Sequence, residues 1–255
     1  MLETFTANRV LVLVCTYNER ANLPRLVDEI LAAAPDLQLL VIDDGSPDGT
    51  GAWAIDETTR RPALHVIQRG AKLGLGSAIK VGLEFALEHN FDFVVNLDAD
   101  FSHDPARIPD LLNASIESNA ALVIGSRYVA GGGLKNCSWR RHFVSQVANR
   151  YARLILGWKI YDCSSAYRCY RVDDLRRLDL SKIKCSGYGF LEEILWAILN
   201  RRGLVVERPV IYTERENGES KISLKEATGT LYVLHRLALN RFGRNQQKLP
   251  KESFE

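Results

Sequence analysis

The chain has 255 residues, of which 46% are hydrophobic, and a formal net charge of +2. The hydrophobic content is typical of a globular protein with a full core. The length fits one large α/β domain, or one domain plus an appendage. Five scattered cysteines without a Cys-x-x-Cys pair argue against a disulfide framework or a zinc site and fit a reducing cytosol. Neither a signal peptide nor an apolar run of the roughly 18 residues needed to span a membrane is visible, so we expect neither.

The small net charge hides an asymmetry along the chain. Residues 1–134 carry 10 Lys/Arg and 18 Asp/Glu, whereas residues 135–177 carry 10 and 3, and residues 201–251 carry 11 and 5. An acidic first half suits a metal ion, and a basic second half suits an anionic partner or a membrane surface. Solvated helix faces would give similar counts.

Apolar runs alternate with helical patterns over the first 120 residues. The predicted strands are Val10–Cys15, Leu37–Ile42, Leu64–Gln68, Phe91–Leu97 and Leu122–Gly125. The predicted helices are Asn22–Ala34, Thr50–Arg60, Ser77–Glu88 and Pro105–Ser118. This alternation predicts βαβ units and a mostly parallel sheet flanked by helices, which places the protein in the α/β class.

The alternation lapses after about residue 130. Gly131–Gly133 is predicted to be a flexible joint. The elements predicted beyond it are a basic helix at Trp139–Leu156, a short strand at Ala166–Tyr170, a helix at Phe190–Arg202, an edge strand at Leu204–Tyr212 interrupted by Pro209, and a last helix at Leu224–Phe242. The polar tail, residues 244–255, is predicted to be disordered.

The most informative segment is the apolar strand that ends in Asp98-Ala99-Asp100. Ligands of open α/β sheets bind at the carboxyl ends of the strands, and residues i and i+2 of a strand point to the same side. Two adjacent carboxylates repel each other unless a cation lies between them, and oxygen ligands suit Mg²⁺ or Mn²⁺. Asp98 and Asp100 are therefore candidate metal ligands, although a solvated acidic turn would have the same sequence.

Two other strand ends carry groups that suit a nucleoside. The first strand runs into Thr16-Tyr17-Asn18-Glu19 and the second into Asp43-Asp44-Gly45. A carboxylate can accept hydrogen bonds from a base edge or a ribose, and Tyr17 can stack on a base. The glycine-rich stretch Arg69–Ala78 leads into a helix N-terminus and suits phosphate, although it matches neither the P-loop nor the dinucleotide fingerprint.

Taken together, four motifs in this order resemble family 2 glycosyltransferases of the GT-A fold. They are Thr-Tyr-Asn-Glu, Asp-Asp-Gly-Ser-Pro-Asp-Gly-Thr, Lys-Leu-Gly-Leu-Gly and Leu-Asp-Ala-Asp-Phe-Ser-His-Asp-Pro. The dolichol-phosphate or polyprenyl-phosphate mannosyltransferase branch is the most similar, over about residues 8–235. The resemblance implies one catalytic domain over residues 1–243, with a nucleotide-sugar and metal half at 8–130 and an acceptor half with C-terminal helices at 131–243.

The resemblance also implies a role for each matching residue. Donor binding is implied for Thr16, Tyr17, Glu19, Asp43, Asp44, Lys72 and Gly74, and metal binding for Asp98 and Asp100. Acceptor-phosphate binding is implied for Arg127, Arg141, Ser145, Arg215 and Lys221, with Arg127 and Arg215 also catalytic beside the two aspartates. Leu191 and Ser164 depart from the Gln and Thr usual in this family, which affects only the detail of the acceptor region. His103 and His142 are interpreted as polar support or surface groups rather than metal ligands.

The function implied is inverting, Mg²⁺- or Mn²⁺-dependent transfer of mannose from GDP-mannose to a polyprenyl (dolichyl-type) phosphate. The expected location is cytoplasmic, peripheral to the cytoplasmic face of the membrane, with a membrane-anchored partner subunit as an option and no nucleic acid. Alternatives are a UDP-glucose polyprenyl-phosphate glucosyltransferase, a polysaccharide-type transferase, which is less favoured because no pore segments follow, and a non-catalytic nucleotide-sugar-binding subunit.

The last predicted helix offers a way to reach the membrane. It places Leu231, Tyr232, Leu234, Leu237 and Phe242 beside Lys225, Arg236 and Arg241. An amphipathic helix of this kind can lie in a membrane interface, and anionic lipid attracts its basic residues. The alternative is that the apolar stripe packs against the catalytic domain or a second protomer.

Overall fold

The computed structural model describes residues 9–34, 36–214 and 224–246. Its nine strands in these ranges are β1 (Val10–Thr16), β2 (Gln38–Asp43), β3 (Leu64–Gln68), β4 (Phe93–Asp98), β5 (Leu122–Ser126), β6 (Gly133–Lys135), β7 (Arg168–Arg171), β8 (Val205–Pro209) and β9 (Ile211–Thr213). The helices are α1 (Leu23–Ala33), α2 (Thr50–Thr58), α3 (Leu75–Glu88), α4 (Ile108–Ser118), α5 (Trp139–Leu156), α6 (Val172–Leu175), α7 (Phe190–Asn200) and α8 (Leu224–Gln246). Short 3₁₀ turns cover Pro105–Arg107 and Leu180–Lys182.

Seven of the strands form one sheet in the order β3-β2-β1-β4-β7-β5-β8. All neighbouring strands in it are parallel except β7, which is antiparallel to both β4 and β5. The mostly parallel α/β sheet predicted from the alternation of strands and helices is therefore confirmed. As predicted, the strand that ends at Pro209 lies at an edge, where a residue without an N–H is tolerated.

Each face of the sheet is covered by helices. In β1, Leu11 and Leu13 face the core that includes α3, whereas Val12 and Val14 face the core that includes α1. Every one of these side chains is fully buried. A strand buried on both faces reads as a continuous apolar run, which explains why the strands of the first half are so clear in the sequence.

The register places the carboxyl ends of three strands side by side. Thr16 at the end of β1 pairs with Asp43 of β2, and Cys15 pairs with Asp98 of β4. The polar and acidic groups that follow these strands therefore meet at one edge of the sheet, as the sequence predicts.

Three expectations need correction. Gly131–Gly133 is not a loose joint, because Gly133 begins β6, which pairs with β9, and a Cβ on Gly132 would lie 2.4 Å from the carbonyl oxygen of Ser126. Asp98 and Asp100 were expected on one side of a regular strand, but β4 ends at Asp98 and Phe101 adopts a left-handed conformation (φ 58°), so Asp100 lies in a turn beyond the strand. Helix α8 continues to Gln246, so residues 244–246 are helical, while residues 247–255 lie outside the described range.

The apolar stripe of α8 packs inward rather than facing a membrane. Leu234, Leu237 and Ala238 are buried in the same core as Leu191 and Ile194 of α7. Only Leu231, Tyr232 and Leu239 are exposed large apolar residues among the described side chains of this helix. The alternative in which α8 packs against the catalytic domain is therefore the one observed.

Candidate functional site

A pocket opens at the edge of the sheet where β1, β2 and β4 end. We call it the edge pocket; it is lined by Cys15, Thr16, Tyr17, Glu19, Asp44, Lys72, Gly74, Leu75, Ala78, Asp98, Ala99, Asp100 and Tyr188. Eight of the nine residues that the sequence singles out for donor and metal binding are in this lining. The ninth, Asp43, is fully buried and lies outside it.

Asp43 supports the wall of the edge pocket from behind. Its carboxylate accepts hydrogen bonds from Thr16 Oγ1 at 3.0 Å and from the backbone N–H of Ser46 at 2.9 Å. Gly51 is required beside it, because a Cβ there would lie 2.6 Å from Asp43 Oδ2. The carboxylate therefore fixes the loop after β2 against the end of β1.

Asp44 occupies the helix N-terminus that the sequence suggested for a phosphate. One carboxylate oxygen forms a buried ion pair with Arg69, and the other accepts the backbone N–H groups of Leu73 and Gly74 at 3.1 and 3.2 Å. Anions favour such a position because of the exposed N–H groups and the helix dipole. A protein carboxylate thus satisfies two N–H groups just before α3, and Arg69, which the sequence analysis did not single out, holds that carboxylate in place.

Tyr17 and Lys72 form one wall of the edge pocket. The Lys72 ammonium lies 4.3 Å from the centre of the Tyr17 ring, within the range of a cation–π contact. Glu19 is buried nearby, and its carboxylate accepts a hydrogen bond from Asn22 Nδ2 at 2.8 Å. The wall thus combines an aromatic face, a cation and a carboxylate.

The acidic turn after β4 is organised by His103. The imidazole Nδ1 accepts the backbone N–H of Asp98 at 3.1 Å, so the ring carries its proton on Nε2 when neutral. Burial lowers the pKa of His103 to about 4, although the charge of Asp100 opposes the shift. His103 is therefore a neutral support for the turn, in agreement with its interpretation as a polar support rather than a metal ligand.

The two aspartates offer an incomplete but suitable set of metal ligands. Asp98 is part-exposed in the edge pocket, and Asp100 is buried, with Oδ1 accepting the backbone N–H of Ser102 at 3.0 Å. Within the described ranges, no group of three or more His, Cys, Asp or Glu residues could enclose a metal ion by itself. One or two carboxylates plus substrate phosphates is how Mg²⁺ is often bound. The residues present therefore fit a divalent cation that is shared with a phosphorylated ligand.

A second polar cluster, the Arg127 network, follows β5. The guanidinium of Arg127 donates to both carboxylate oxygens of Asp162 at 2.7 Å and to Ser164 Oγ at 2.9 Å. Burial alone would lower the pKa of Arg127, but the hydrogen bonds and charge of Asp162 outweigh it and raise the pKa further. Asn149 of α5 completes the network by donating to Ser164 Oγ and accepting the Cys163 N–H.

The structure describes only some of the other residues that were predicted to bind the acceptor phosphate. Ser145 lies beside the Arg127 network, since its Oγ accepts a hydrogen bond from the hydroxyl of Tyr128 at 2.7 Å. Arg141 is in the first turn of α5, and its side chain is outside the described part of the structure. Arg215 and Lys221 lie outside the described residues, which resume at residue 224.

A chain of aromatic contacts joins the Arg127 network to the acidic turn. Arg127 lies 5.6 Å from the centre of the Tyr212 ring, and that ring meets His103 edge-on at 5.8 Å. His103 in turn accepts the Asp98 N–H. The Arg127 guanidinium, which is mostly buried, is therefore linked to the acidic turn through the rings of Tyr212 and His103.

Sequence reasoning missed Arg69, Asp162, Asn149 and Tyr188 as contributors to these two sites. The family resemblance extends through two further segments, residues 162–168 and 187–190, and was the available signal for Asp162 and Tyr188. Neither spacing nor composition distinguishes Arg69 or Asn149 from surface residues, because their partners lie 25 and 14 residues away along the chain.

The fold and the edge pocket define a GT-A-type α/β protein with an acidic ligand site. The sequence profile described as "Glycosyl transferase family 2" matches residues 11–179, and the chain belongs to this family of glycosyltransferases. Polyprenol monophosphomannose synthase of Mycolicibacterium smegmatis is 44% identical over 216 residues, 84% of this chain and 81% of the relative. Undecaprenyl-phosphate mannosyltransferase of Micrococcus luteus is 42% identical over 215 residues, 84% and 88% of the two chains.

Solved structures match the fold at lower sequence identity. Glucosyl-3-phosphoglycerate synthase from Mycobacterium tuberculosis, solved with Mn²⁺, UDP and glucosyl-3-phosphoglycerate, superposes with a TM-score of 0.66. The match has 22% identity and covers 93% of this chain and 81% of that one, so it establishes the GT-A fold alone. Separately, none of the helices in the described ranges has the length and apolar character needed to cross a membrane.

Proposed function

We propose that this glycosyltransferase moves mannose from GDP-mannose to a polyprenyl (dolichyl-type) phosphate with inversion at the sugar. The observation that carries the proposal is the contact chain from Arg127 through Tyr212 and His103 to the acidic turn. This chain of contacts supports the proposal because it connects a guanidinium, which suits a phosphate, through two rings to the turn whose carboxylates suit a metal-bound diphosphate. The names of the two relatives supply the sugar and the lipid.

On the donor side, the nucleoside lies against Thr16, Tyr17 and Glu19 in the edge pocket, with Asp43 supporting this wall and Lys72 near the diphosphate. Asp98 and Asp100 would be the protein ligands of Mg²⁺ or Mn²⁺. Asp44 and Gly74 act by fixing the glycine-rich loop, because the carboxylate of Asp44 is already bonded to Arg69 and to backbone N–H groups. When bound, the metal offsets the negative charge that builds up on the leaving diphosphate.

On the acceptor side, Arg127 binds the lipid phosphate together with Ser145, Arg141, Arg215 and Lys221. Asp162 and Ser164 use Nε and Nη2 of Arg127, and Nη1 has no hydrogen-bond partner among the described residues. A guanidinium that Asp162 already holds in place loses little side-chain entropy when its remaining N–H groups bind a phosphate.

The chemical step needs no strong general base. A phosphate oxygen of the lipid attacks C1 of mannose from the side opposite the diphosphate, and the bond from C1 to GDP breaks as the new bond forms. A phosphate monoester has a second pKa of about 6, so the attacking oxygen is largely deprotonated at neutral pH. His103 is poorly suited to act as a base, because its Nδ1 is already bonded to the Asp98 N–H and its pKa is only about 4.

The enzyme must approach a bilayer, and we assign that contact to α5 rather than α8. Trp139 is 74% exposed and Leu154 71%, and Phe143 and Val147 lie on the same stripe of the helix. The opposite side of α5 is buried through Asn149, Ala152 and Leu156, so the apolar stripe faces outward. Residues 135–177 carry 10 Lys/Arg and 3 Asp/Glu, which suits an anionic membrane surface.

With this contact the protein would be a peripheral membrane enzyme, and we propose the cytoplasmic face as its location. The assignment also gives α5 a direct connection to the acceptor site, since Ser145 and Asn149 come from the same helix. A membrane-anchored partner subunit is the alternative means of recruitment.

A transfer assay tests the proposed function. Purified protein, Mg²⁺ or Mn²⁺ and polyprenyl phosphate are incubated with a panel of labelled nucleotide sugars, and label in the lipid phase is counted. We expect transfer from GDP-mannose and almost none by the Asp98→Asn variant. Transfer from UDP-glucose instead would identify the glucosyltransferase alternative. Nucleotide-dependent thermal stabilisation without any transfer would identify a non-catalytic binding subunit.

A further inference from the structure

Tyr188 differs in origin from every other residue that lines the edge pocket in the described structure. The remaining lining residues all lie between Cys15 and Asp100, in the half assigned to nucleotide sugar and metal. Tyr188 comes from the segment just before α7, in the half assigned to the acceptor. The pocket is therefore completed by one side chain from the other half of the molecule.

The segment that carries Tyr188 is fixed from two sides. Glu193 of α7 accepts the backbone N–H groups of Lys184 and Cys185 at 3.1 and 2.9 Å, and its other oxygen pairs with Arg236 of α8. On the side of α3, the backbone N–H of Ser77 donates to the carbonyl oxygen of Ser186 at 3.0 Å. The chain immediately before Tyr188 is thus held by hydrogen bonds to α7 and α3 and is not a loose loop.

Two glycines of α3 and its preceding loop are needed for this contact. A Cβ on Gly74 would lie 2.6 Å from the Ser186 carbonyl oxygen, and one on Gly76 would lie 2.5 Å from the Gly187 carbonyl oxygen. Real Cβ atoms do not approach carbonyl oxygens so closely. The glycine-rich loop therefore brings the Tyr188 segment against the donor side of the pocket, which is a different use of glycine from phosphate binding.

We propose that Tyr188 contacts the transferred sugar, resting on the proposed function for the identity of the pocket. The sugar has to lie between the nucleotide and the acceptor, because its bond to the nucleotide is replaced by a bond to the acceptor phosphate. Carboxylates and a cation–π pair from residues 17–100 already suit the nucleoside and the metal-bound diphosphate. Tyr188 enters the same pocket from the acceptor half and offers an aromatic face and a hydroxyl, both of which suit a hexose.

The proposal predicts that Tyr188 distinguishes a nucleotide sugar from its nucleotide. GDP and GDP-mannose are titrated calorimetrically, with Mg²⁺ present, against the full chain and its Tyr188→Ala and Tyr188→Phe variants. Tyr188→Ala should weaken the binding of GDP-mannose about tenfold and change the affinity for GDP by no more than about twofold. A tenfold loss of affinity corresponds to about 1.4 kcal/mol. Tyr188→Phe should fall between, because it keeps the ring and loses the hydroxyl. Tyr232→Ala, on the exposed side of α8, is the matched control and should change neither affinity.

The possible outcomes separate this inference from the proposed function. Equal weakening of GDP and GDP-mannose would place Tyr188 at the nucleoside or diphosphate, and unchanged affinity for both would remove it from the site; either result overturns the inference. If the unmodified chain binds UDP-glucose rather than GDP-mannose, the proposed donor is wrong, and the same comparison is then made between UDP and UDP-glucose. If Tyr188→Ala does not fold, as judged by circular dichroism, the nearly isosteric Tyr188→Phe variant is used for the decision. The inference is then overturned if Tyr188→Phe binds GDP-mannose as tightly as the unmodified chain does, or loses affinity for GDP and GDP-mannose equally.

Discussion

Asp162 holds the guanidinium of Arg127 with both carboxylate oxygens, each 2.7 Å from a guanidinium nitrogen, and also accepts the Arg127 backbone N–H at 3.0 Å. Asp162 is fully buried and the Arg127 side chain is 13% exposed. Glu207 of β8 fixes the Asp162 backbone by accepting its N–H at 2.9 Å. The orientation of the proposed phosphate-binding group is therefore set by a buried ion pair.

Breaking this ion pair should lower both the free energy of unfolding and the affinity for the acceptor. Asp162→Asn leaves the Arg127 charge buried without its counter-charge, which typically destabilises a protein by about 3 kcal/mol or more. We expect a matching fall in the free energy of unfolding in urea and a raised KM for polyprenyl phosphate, with the KM for GDP-mannose little changed. The double variant Arg127→Met with Asp162→Asn should recover part of the stability but no acceptor binding. If the double variant is no more stable than Asp162→Asn alone, the buried charge is not the cause.

The acidic turn gives a second prediction. Asp98→Asn and Asp100→Asn should each lower kcat at least about 100-fold, because the cation loses a charged ligand beside the leaving diphosphate. Both variants should stay folded, since an Asn side chain can still accept the Ser102 N–H that Asp100 accepts at 3.0 Å. Circular dichroism melts check the fold, and Asp104→Asn, at a nearby exposed turn, serves as the control. Near-normal turnover by either variant under saturating Mg²⁺ would contradict the metal assignment.

Asp43 and Arg215 should separate donor from acceptor binding. Asp43→Ala removes an acceptor for Thr16 Oγ1 and the Ser46 N–H, so we expect weaker GDP binding and a loss of about 1–3 kcal/mol of stability. Arg215→Ala should weaken the lipid phosphate and leave GDP binding almost unchanged. Calorimetric titration of GDP against both variants tests this, and loss of GDP affinity in Arg215→Ala would move that residue to the donor side.

Glu192 should make stability depend on pH near neutrality. Burial raises the pKa of Glu192 from 4.5 to about 7, although the charge of the fully buried Arg168 opposes the shift. The folded chain therefore binds more protons than the unfolded chain between about pH 4.5 and 7, so stability falls as the pH rises through this window. The shift corresponds to roughly 3 kcal/mol at most.

Urea unfolding at pH 5 and pH 8 measures this effect. Glu192→Gln should be more stable than the unmodified chain at pH 8 and should flatten the pH dependence. Asp173→Asn, whose side chain is 81% exposed on α6, should leave the pH dependence unchanged. An unchanged pH dependence in Glu192→Gln would show that another group is responsible.

The α5 face predicts how the protein binds membranes. Full-length protein should float with anionic liposomes at low salt and dissociate as salt screens the charges. Replacing Trp139 and Phe143 together with Ser should reduce flotation at least about tenfold, because two aromatic groups would no longer be buried in the interface. Leu239→Ser, an equally exposed position on α8, is the matched control. Equal loss of flotation in the α5 and α8 variants would show that α8 also contacts the membrane. Absence of flotation by the unmodified protein would favour recruitment by a membrane-anchored subunit.

The sequence predicted the first half of the fold well for a physical reason. Strands β1, β2 and β4 are buried on both faces, so their sequences are unbroken apolar runs that end in the residues of the edge pocket. Helix α5 was predicted at its observed bounds, but its outward apolar stripe was not recognised, because a helix pattern does not tell which side the core will cover. The inward packing of α8 was left open for the same reason.

The contacts between the site residues were harder to predict from the sequence than the identity of the residues themselves. Asp44, which was predicted to bind the donor, lines the edge pocket, but its carboxylate also accepts the N–H groups of Leu73 and Gly74, for which a phosphate would compete. The family resemblance singled out Arg127, but the pairing of Arg127 with Asp162, 35 residues later, follows only from the tertiary structure. Tyr188 comes from a segment whose approach to the edge pocket depends on Gly74 and Gly76, and no local pattern records that approach.

The position of β7 bears on how the two halves of the chain depend on each other. This strand comes from the half at residues 131–243, yet it is hydrogen-bonded between β4 and β5, both from the half at 8–130. A fragment that ends near residue 130 would leave β4 and β5 with unpaired edges, which favour aggregation. We therefore expect the two halves to fold as one cooperative unit, and a shortened chain with only the elements of the first half to be unable to serve as an independent module.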